Sequence, residues 1–112
     1  MLQSIGKVLT ANTTTTLLTV PAGYHAIVIM VKVINTAANQ HSYSMTWNDG
    51  TTITVQATKN LSAASYEVFF SADNPLVMQE SDYLTVTTAA TSAFTAIVTV
   101  DIIRNEKTPY NL

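Results

Sequence analysis

The sequence predicts an all-β fold, a single antiparallel β-sandwich of about eight strands in jelly-roll or Ig-like order. Three observations predict it. Apolar and polar residues alternate with period two along most of the chain, while the helical period is nearly absent. Turn residues recur at short, fairly even spacing between those runs. The stretch from Thr13 to Ile34 joins a threonine-rich strand, through Pro21-Ala22-Gly23, to a long β-branched apolar run. A run of that kind predicts a central strand covered on both faces rather than a half-wet one.

The elements follow in order. Leu2 to Thr10 reads as a short first strand, with Ile5 and either Leu9 or Val8 facing inward. Ala11-Asn12-Thr13 turns into the threonine strand, where the branched Cβ packs and the hydroxyl stays wet. Pro21 cannot donate to a ladder, so Val20 to Gly23 is a corner, and Tyr24 to Ile34 is the long strand. Asn35 to His41 is a loop of small residues. Tyr43, Met45 and Trp47 then share one face of a strand that ends at Asn48-Asp49-Gly50, a tight hairpin turn in which glycine accepts a positive φ. The return strand places Ile53, Val55 and Ala57 inward, and Thr58 to Ala64 is a loop or a single helical turn.

Ser65 to Phe70 is the next strand, with Tyr66, Val68 and Phe70 inward and Glu67 and Phe69 outward. Ser71 to Pro75 turns, because residues before proline avoid the helical region. Leu76-Val77-Met78 is a short edge segment, and Gln79 to Asp82 turns into the strand Tyr83 to Thr88. The last strand alternates Phe94, Ala96, Val98, Val100 and Ile102 inward against Thr95, Ile97, Thr99, Asp101 and Ile103. The 112 residues suit one domain, with the sandwich at 1–104 and a short C-terminal arm at 105–112.

Charge is the unusual feature of the composition. Five basic and seven acidic side chains make 11% of the residues, where about 25% is usual, while 47% are apolar, an ordinary value. The deficit therefore falls on the surface, where serine, threonine, asparagine and glutamine replace lysine and glutamate. A surface with net charge −2 repels its own copies weakly and favours association. The alternative is a monomer kept soluble by hydroxyls alone. Five cations cannot neutralise many phosphates, so nucleic acid is not an expected partner. The start of the chain lacks the pattern of a signal peptide, and Lys32 interrupts an apolar run too short to span a bilayer. No membrane and a cytosol-like site of assembly are expected. With no cysteine, neither disulfides nor thiolate metal sites are available.

No residue pattern marks chemistry. His25 and His41 are the only histidines, and no ligand spacing joins them, so no metal or other cofactor is expected. Asp73, Glu80 and Asp82 lie in neighbouring turns, either converging on Ca²⁺ or, as the favoured reading, satisfying turn backbone. Glu67 and Asp101 imply no catalytic pocket, no Gly-x-Ser-x-Gly occurs, and three glycines cannot build a phosphate cradle. Trp47 and the tyrosines are a sugar platform only if they leave the core. An enzyme is not expected.

Two features suggest contact surfaces. Phe69, Ile97 and Ile103 are apolar on faces that should be polar, and so are either interface residues or core beneath another layer. Pro109, Tyr110 and Leu112 give the C-terminal arm an aromatic anchor for a neighbouring subunit, or else belong to a frayed end.

Thr13 to Gly23, the apolar strand ending in Val33-Ile34-Asn35-Thr36, and Leu76 to Val86 together resemble small β-sandwich structural proteins of tailed bacteriophage particles. The shared pattern is a threonine-rich strand, Val-Pro-Ala-Gly, a long apolar strand and Asn-Thr, followed later by an acidic turn between apolar strands. It covers roughly residues 10 to 104, and Ser81 stands where a glycine is common in that group. The resemblance implies a non-enzymatic virion structural protein, in the first place a capsid decoration (cement) protein. Its partners would be copies of itself, in trimers or similar rings, and the major capsid or other virion proteins. Its place would be the virion, assembled in the host cytoplasm. Within the same resemblance, a neck or tail accessory protein or a carbohydrate-binding attachment module is the alternative.

Overall fold

A computed structural model describes residues 1–106, and among these there are nine strands and no helix. They are β1 (Leu2–Leu9), β2 (Thr14–Thr19), β3 (Tyr24–Asn35), β4 (His41–Asn48), β5 (Thr52–Leu61), β6 (Tyr66–Phe69), β7 (Leu76–Met78), β8 (Tyr83–Thr88) and β9 (Phe94–Arg104). One sheet runs β1-β9-β3-β6, with β7 pairing β3 as well; the other runs β2-β8-β4-β5. Every pairing is antiparallel. The two sheets stack as a β-sandwich, as the alternation predicts.

The pairings are nested. β1 pairs β9, β2 pairs β8, β3 pairs β6 and β7, and β4 pairs β5, so the chain is one long hairpin folded over on itself. Its tip is the Asn48-Asp49-Gly50-Thr51 turn. There the Asn48 carboxamide oxygen accepts the Gly50 N–H at 3.1 Å, and Gly50 takes φ 107°, where a side chain would be strained.

The core forms where the inner faces meet. β3 supplies Val28, Val31 and Val33, and β9 supplies Phe94, Ala96, Val98 and Val100. The second sheet answers with Tyr43, Met45, Leu84 and Val86. Tyr43 and Phe94 meet with ring centroids 5.6 Å apart and tilted by 60°. Leu17 and Leu18 are consecutive yet both buried, because a register shift between Thr16 and Leu18 turns both inward.

Several expectations are corrected. β3 is central, but only its inner face is sealed; Ile27, Met30, Lys32 and Ile34 on the other face are partly exposed. Leu9 faces the core, and Val8 is 85% exposed. β5 runs on to Leu61, through residues expected to form a loop or helical turn, because β4 continues pairing as far as His41↔Leu61. Two register shifts and an edge position leave Ala57 exposed and Ile53 36% exposed, rather than buried.

The alternation in β6 is the reverse of that expected. Phe69 pairs Val31 and packs against the core, while Tyr66 and Val68 point outward. Phe70 lies outside the strand at φ 66°, still packed against the core.

Asn35 is a polar residue inside this frame. Fully buried at the end of β3, it donates from Nδ2 to the carbonyls of Asn39 at 2.9 Å and Leu61 at 3.0 Å. Its Oδ1 accepts the Ala37 N–H at 2.9 Å. One carboxamide thus ties two loops to the sheet end.

Candidate assembly interface

The registers lay out the outer face of the β1-β9-β3-β6 sheet as rows of neighbours. The first row is Val8, Thr95, Ile34 and Tyr66. The second is Gly6, Ile97, Lys32 and Val68. Ser4, Thr99 and Met30 form the third, and Leu2, Asp101, Ile27 and Val77 the fourth. Ile103 and His25 close it. Alternation on the two long central strands makes this face: β3 turns Ile27, Met30 and Ile34 outward beside His25 and Lys32, and β9 turns Ile97 and Ile103 outward among Thr95, Thr99 and Asp101.

The result is a largely apolar surface over which no described residue forms a covering layer. Tyr66 is 59% exposed, Val68 51% and Val77 46%. Ile97 in the second row and Ile103 at the end of the face are partly exposed, on the outer face that the sequence assigns them. Phe69 does not belong to this surface; it faces the core. Pro109, Tyr110 and Leu112 lie outside the described residues.

Two charged side chains interrupt the rows. The Lys32 ammonium lies 4.3 Å from the centroid of the Tyr66 ring, where the π-face attracts it. Asp101 holds the α-amino group of Met1 at 2.9 Å.

The outer face of the second sheet is different. Its rows are Thr14, Thr87 and Ser44, then Thr16, Thr85, Thr46 and Thr54, then Thr19, Tyr83, Asn48 and Thr52. Hydroxyls bond across strands, Thr14 to Thr87 at 2.8 Å and Thr46 to Thr85 at 2.7 Å. Neither a charge nor an aliphatic side chain occurs in these three rows. The hydroxyl excess of the sequence is thus concentrated on one face.

The remaining candidates resolve into structural roles. Asp82 is buried; its Oδ2 accepts the Gln79 N–H at 3.0 Å and the Trp47 indole N–H at 3.2 Å, and so serves the turn. Glu80 accepts the Gly23 N–H at 2.7 Å, joining the two corners. Ser81, where the resembling group has glycine, keeps a left-handed φ of 71°. Glu67 and Asp101 lie on opposite faces of their sheet and cannot act as a pair.

Glu67 is the acceptor in a small network under the sheet edge. Both the Tyr43 hydroxyl and the Lys59 ammonium donate to it. Burial raises its pKa, but those two donors outweigh burial and hold it below the usual carboxylate value. Burial and the same carboxylate push the Tyr43 hydroxyl well above the ordinary phenol range. His25 hydrogen-bonds Asn105 at 2.7 Å through Nδ1. Among the described residues no group of three or more acidic or histidine side chains converges as a metal site, and no helix could cross a membrane. Of the aromatics considered for a sugar platform, Tyr43 is buried and Trp47 is tied to Asp82, whereas Tyr66 and Tyr83 are exposed on different sheets.

No protein-family model matches the chain, and no curated protein matches it by sequence. Solved structures do. A chain of the T13 IBDV viral particle is 17% identical with a TM-score of 0.55, covering 93% of this chain and 31% of its own. A chain of the infectious bursal disease virus Gx strain is 17% identical with a TM-score of 0.50, covering 100% of this chain and 33% of its own. PirA is 14% identical with a TM-score of 0.51, covering 86% of this chain and 92% of its own. The chain spans about a third of the length of the viral chains it matches. At these identities the likeness is one of fold.

Proposed function

We propose that this chain is a non-enzymatic structural protein of a virus particle, and specifically a capsid decoration protein of the tailed-bacteriophage type. The observation that carries the reading is the apolar outer face of the β1-β9-β3-β6 sheet, which a solitary protein would leave in water. The nested pairing supports jelly-roll over Ig-like order, and jelly rolls recur in viral capsid domains. The fold likeness to chains of viral particles points the same way.

In this reading the mechanism is mechanical. Copies associate with one another and with the shell, bury flat faces that carry few charges, and add binding free energy that resists internal pressure. The arm at 105–112, with Pro109, Tyr110 and Leu112, extends the contact to a neighbour. The place of action is the virion, with assembly in the host cytoplasm.

Quantitative mass spectrometry of purified particles tests the reading. A decoration protein is expected in hundreds of copies per particle. About a dozen copies would assign it to a neck ring, and absence from particles would overturn the virion role.

A further inference from the structure

We propose that the outer face of the β1-β9-β3-β6 sheet joins two copies of this chain, packed face to face about a two-fold axis near Thr99 and Met30. The proposal rests on the assembly part of the reading above and not on its viral location.

Area is the first argument. β1, β9 and β3 have 8, 11 and 12 residues, and β6 and β7 with 4 and 3 share the fourth position. At about 3.3 Å along and 4.8 Å across per residue they make a face of about 600 Å². A stable interface takes about 800 Å² from each partner, whereas monomers seldom expose an apolar patch beyond a few hundred. One sheet face therefore supplies about three quarters of the contact that a standard dimer interface takes.

Charge is the second. Lys32 and Asp101 lie on adjacent strands, and Asp101 is four residues along β9 from Ile97, the neighbour of Lys32. They stand on either side of the third row, which holds Thr99 and Met30. A two-fold axis in the interface plane through that row lays Lys32 over the partner's Asp101 and the reverse. The offset of about 13 Å along the strands and 5 Å across them sets the two sheets at roughly 40°. Stacked sheets ordinarily cross at about 30°. An isologous contact thus sets each Lys32, stacked on its own Tyr66, opposite the partner's Asp101, which also holds the Met1 α-amino group, and does so with geometry that sheets already favour.

Shape is the third. Gly6 stands beside Ile97, and a Cβ built there would meet nothing within 4 Å. That notch leaves one flank of Ile97 bare for a side chain of the second copy. The opposite sheet offers no comparable gain, because its hydroxyls already bond one another.

Sedimentation velocity on the full chain tests the proposal, with Ile97→Lys and Val68→Lys as independent variants. Val68 lies in the edge strand β6, so its substitution tolerates folding even where Ile97→Lys does not. Wild-type protein is expected to dimerise, each variant to raise Kd at least about thirtyfold, and Thr54→Lys on the other sheet to leave Kd unchanged. The chain has no cysteine, so Thr99→Cys reports the axis directly. Stacked sheets lie about 10 Å apart, beyond a direct disulfide. A short bifunctional thiol reagent is expected to join Thr99→Cys chains into covalent dimers and to leave Thr14→Cys chains single.

Dimers unaffected by both lysine variants, or cross-linked through position 14 and not 99, would overturn the proposal. So would a monomeric wild type whose attachment to particles is lost in Val68→Lys, because the shell then occupies this face. A monomer that dimerises only once residues 107–112 are removed would assign the face to the chain's own tail, and would overturn the proposal equally. Dimers of the expected behaviour that never bind particles would leave the proposal standing and remove the virion reading alone.

Discussion

Glu67 shows how much one side chain can decide. It sits on a four-residue strand, facing inward against Val33, and two donors from the other sheet converge on it. Tyr43 brings a core ring whose hydroxyl needs an acceptor, and Lys59 brings a cation from the edge strand β5. Because these donors hold the folded-state pKa below the ordinary value of 4.5, folding favours the ionised form. The stabilisation is therefore complete above about pH 4.5 and lost as pH falls through the lower folded-state value. Tyr43 stays protonated throughout, so it remains a donor in this window. The expected outcome is a Glu67→Gln protein that melts below wild type at pH 7, with the difference in Tm shrinking steadily below pH 4.5. Thermal unfolding followed by circular dichroism at a series of pH values checks this; an equal difference at pH 7 and in strong acid would remove the ion pair from the account.

At the scale of elements, the shortest strand tests the packing most sharply. β7 has three residues and pairs β3 through Ala26↔Met78, Ile27↔Val77 and Val28↔Leu76. Three residues supply too few ladder bonds to hold a strand alone, so Met78, fully buried, must anchor it. Met78→Ala is expected to cost about 3 kcal/mol, within the range for emptied core sites. Hydrogen exchange should quicken at the amides of Ala26 to Val28 along with it, since that stretch of β3 loses its outer partner; urea titration and exchange together measure both. Strand legibility in the sequence follows the same physics. β9, with eleven residues, fixes its own phase, which is why Ile97 and Ile103 could be placed on the outer face from alternation alone. β6 could not be phased that way. Tyr66, Val68, Phe69 and Phe70 are apolar at both parities, and only the distant partners Tyr43 and Lys59 turn Glu67 inward. The exposed Tyr66, Val68 and Val77 of the candidate interface were hidden for that reason, and because a three-residue segment carries no period. Asn35 was equally hidden, since a loop asparagine and a buried one look alike until Leu61 and Asn39 arrive beside it.

For the molecule as a whole, nesting governs how the fold forms. Only β4 and β5 pair through a short turn; β1 must find β9 across almost the entire chain, with Leu2 opposite Asp101. Each outer pair closes a longer loop than the pair inside it, so conformational entropy favours ordering from the Asp49-Gly50 tip outward. Folds dominated by such distant pairings reach the native state in milliseconds to seconds rather than microseconds. Trp47 is the only tryptophan, lies next to the tip, and bonds Asp82 from the far side of the turn before β8. Its fluorescence in stopped-flow refolding should therefore change in a phase of milliseconds to seconds whose rate is independent of protein concentration. Pairing of the apolar faces can follow only after β1, β9 and β3 are side by side, because no single strand carries the surface. A second, slower process with a rate that rises with concentration is expected from light scattering, and it should vanish in Val68→Lys while the Trp47 phase keeps its rate. Microsecond refolding, or a Trp47 phase that accelerates with concentration, would place association before closure and contradict this order.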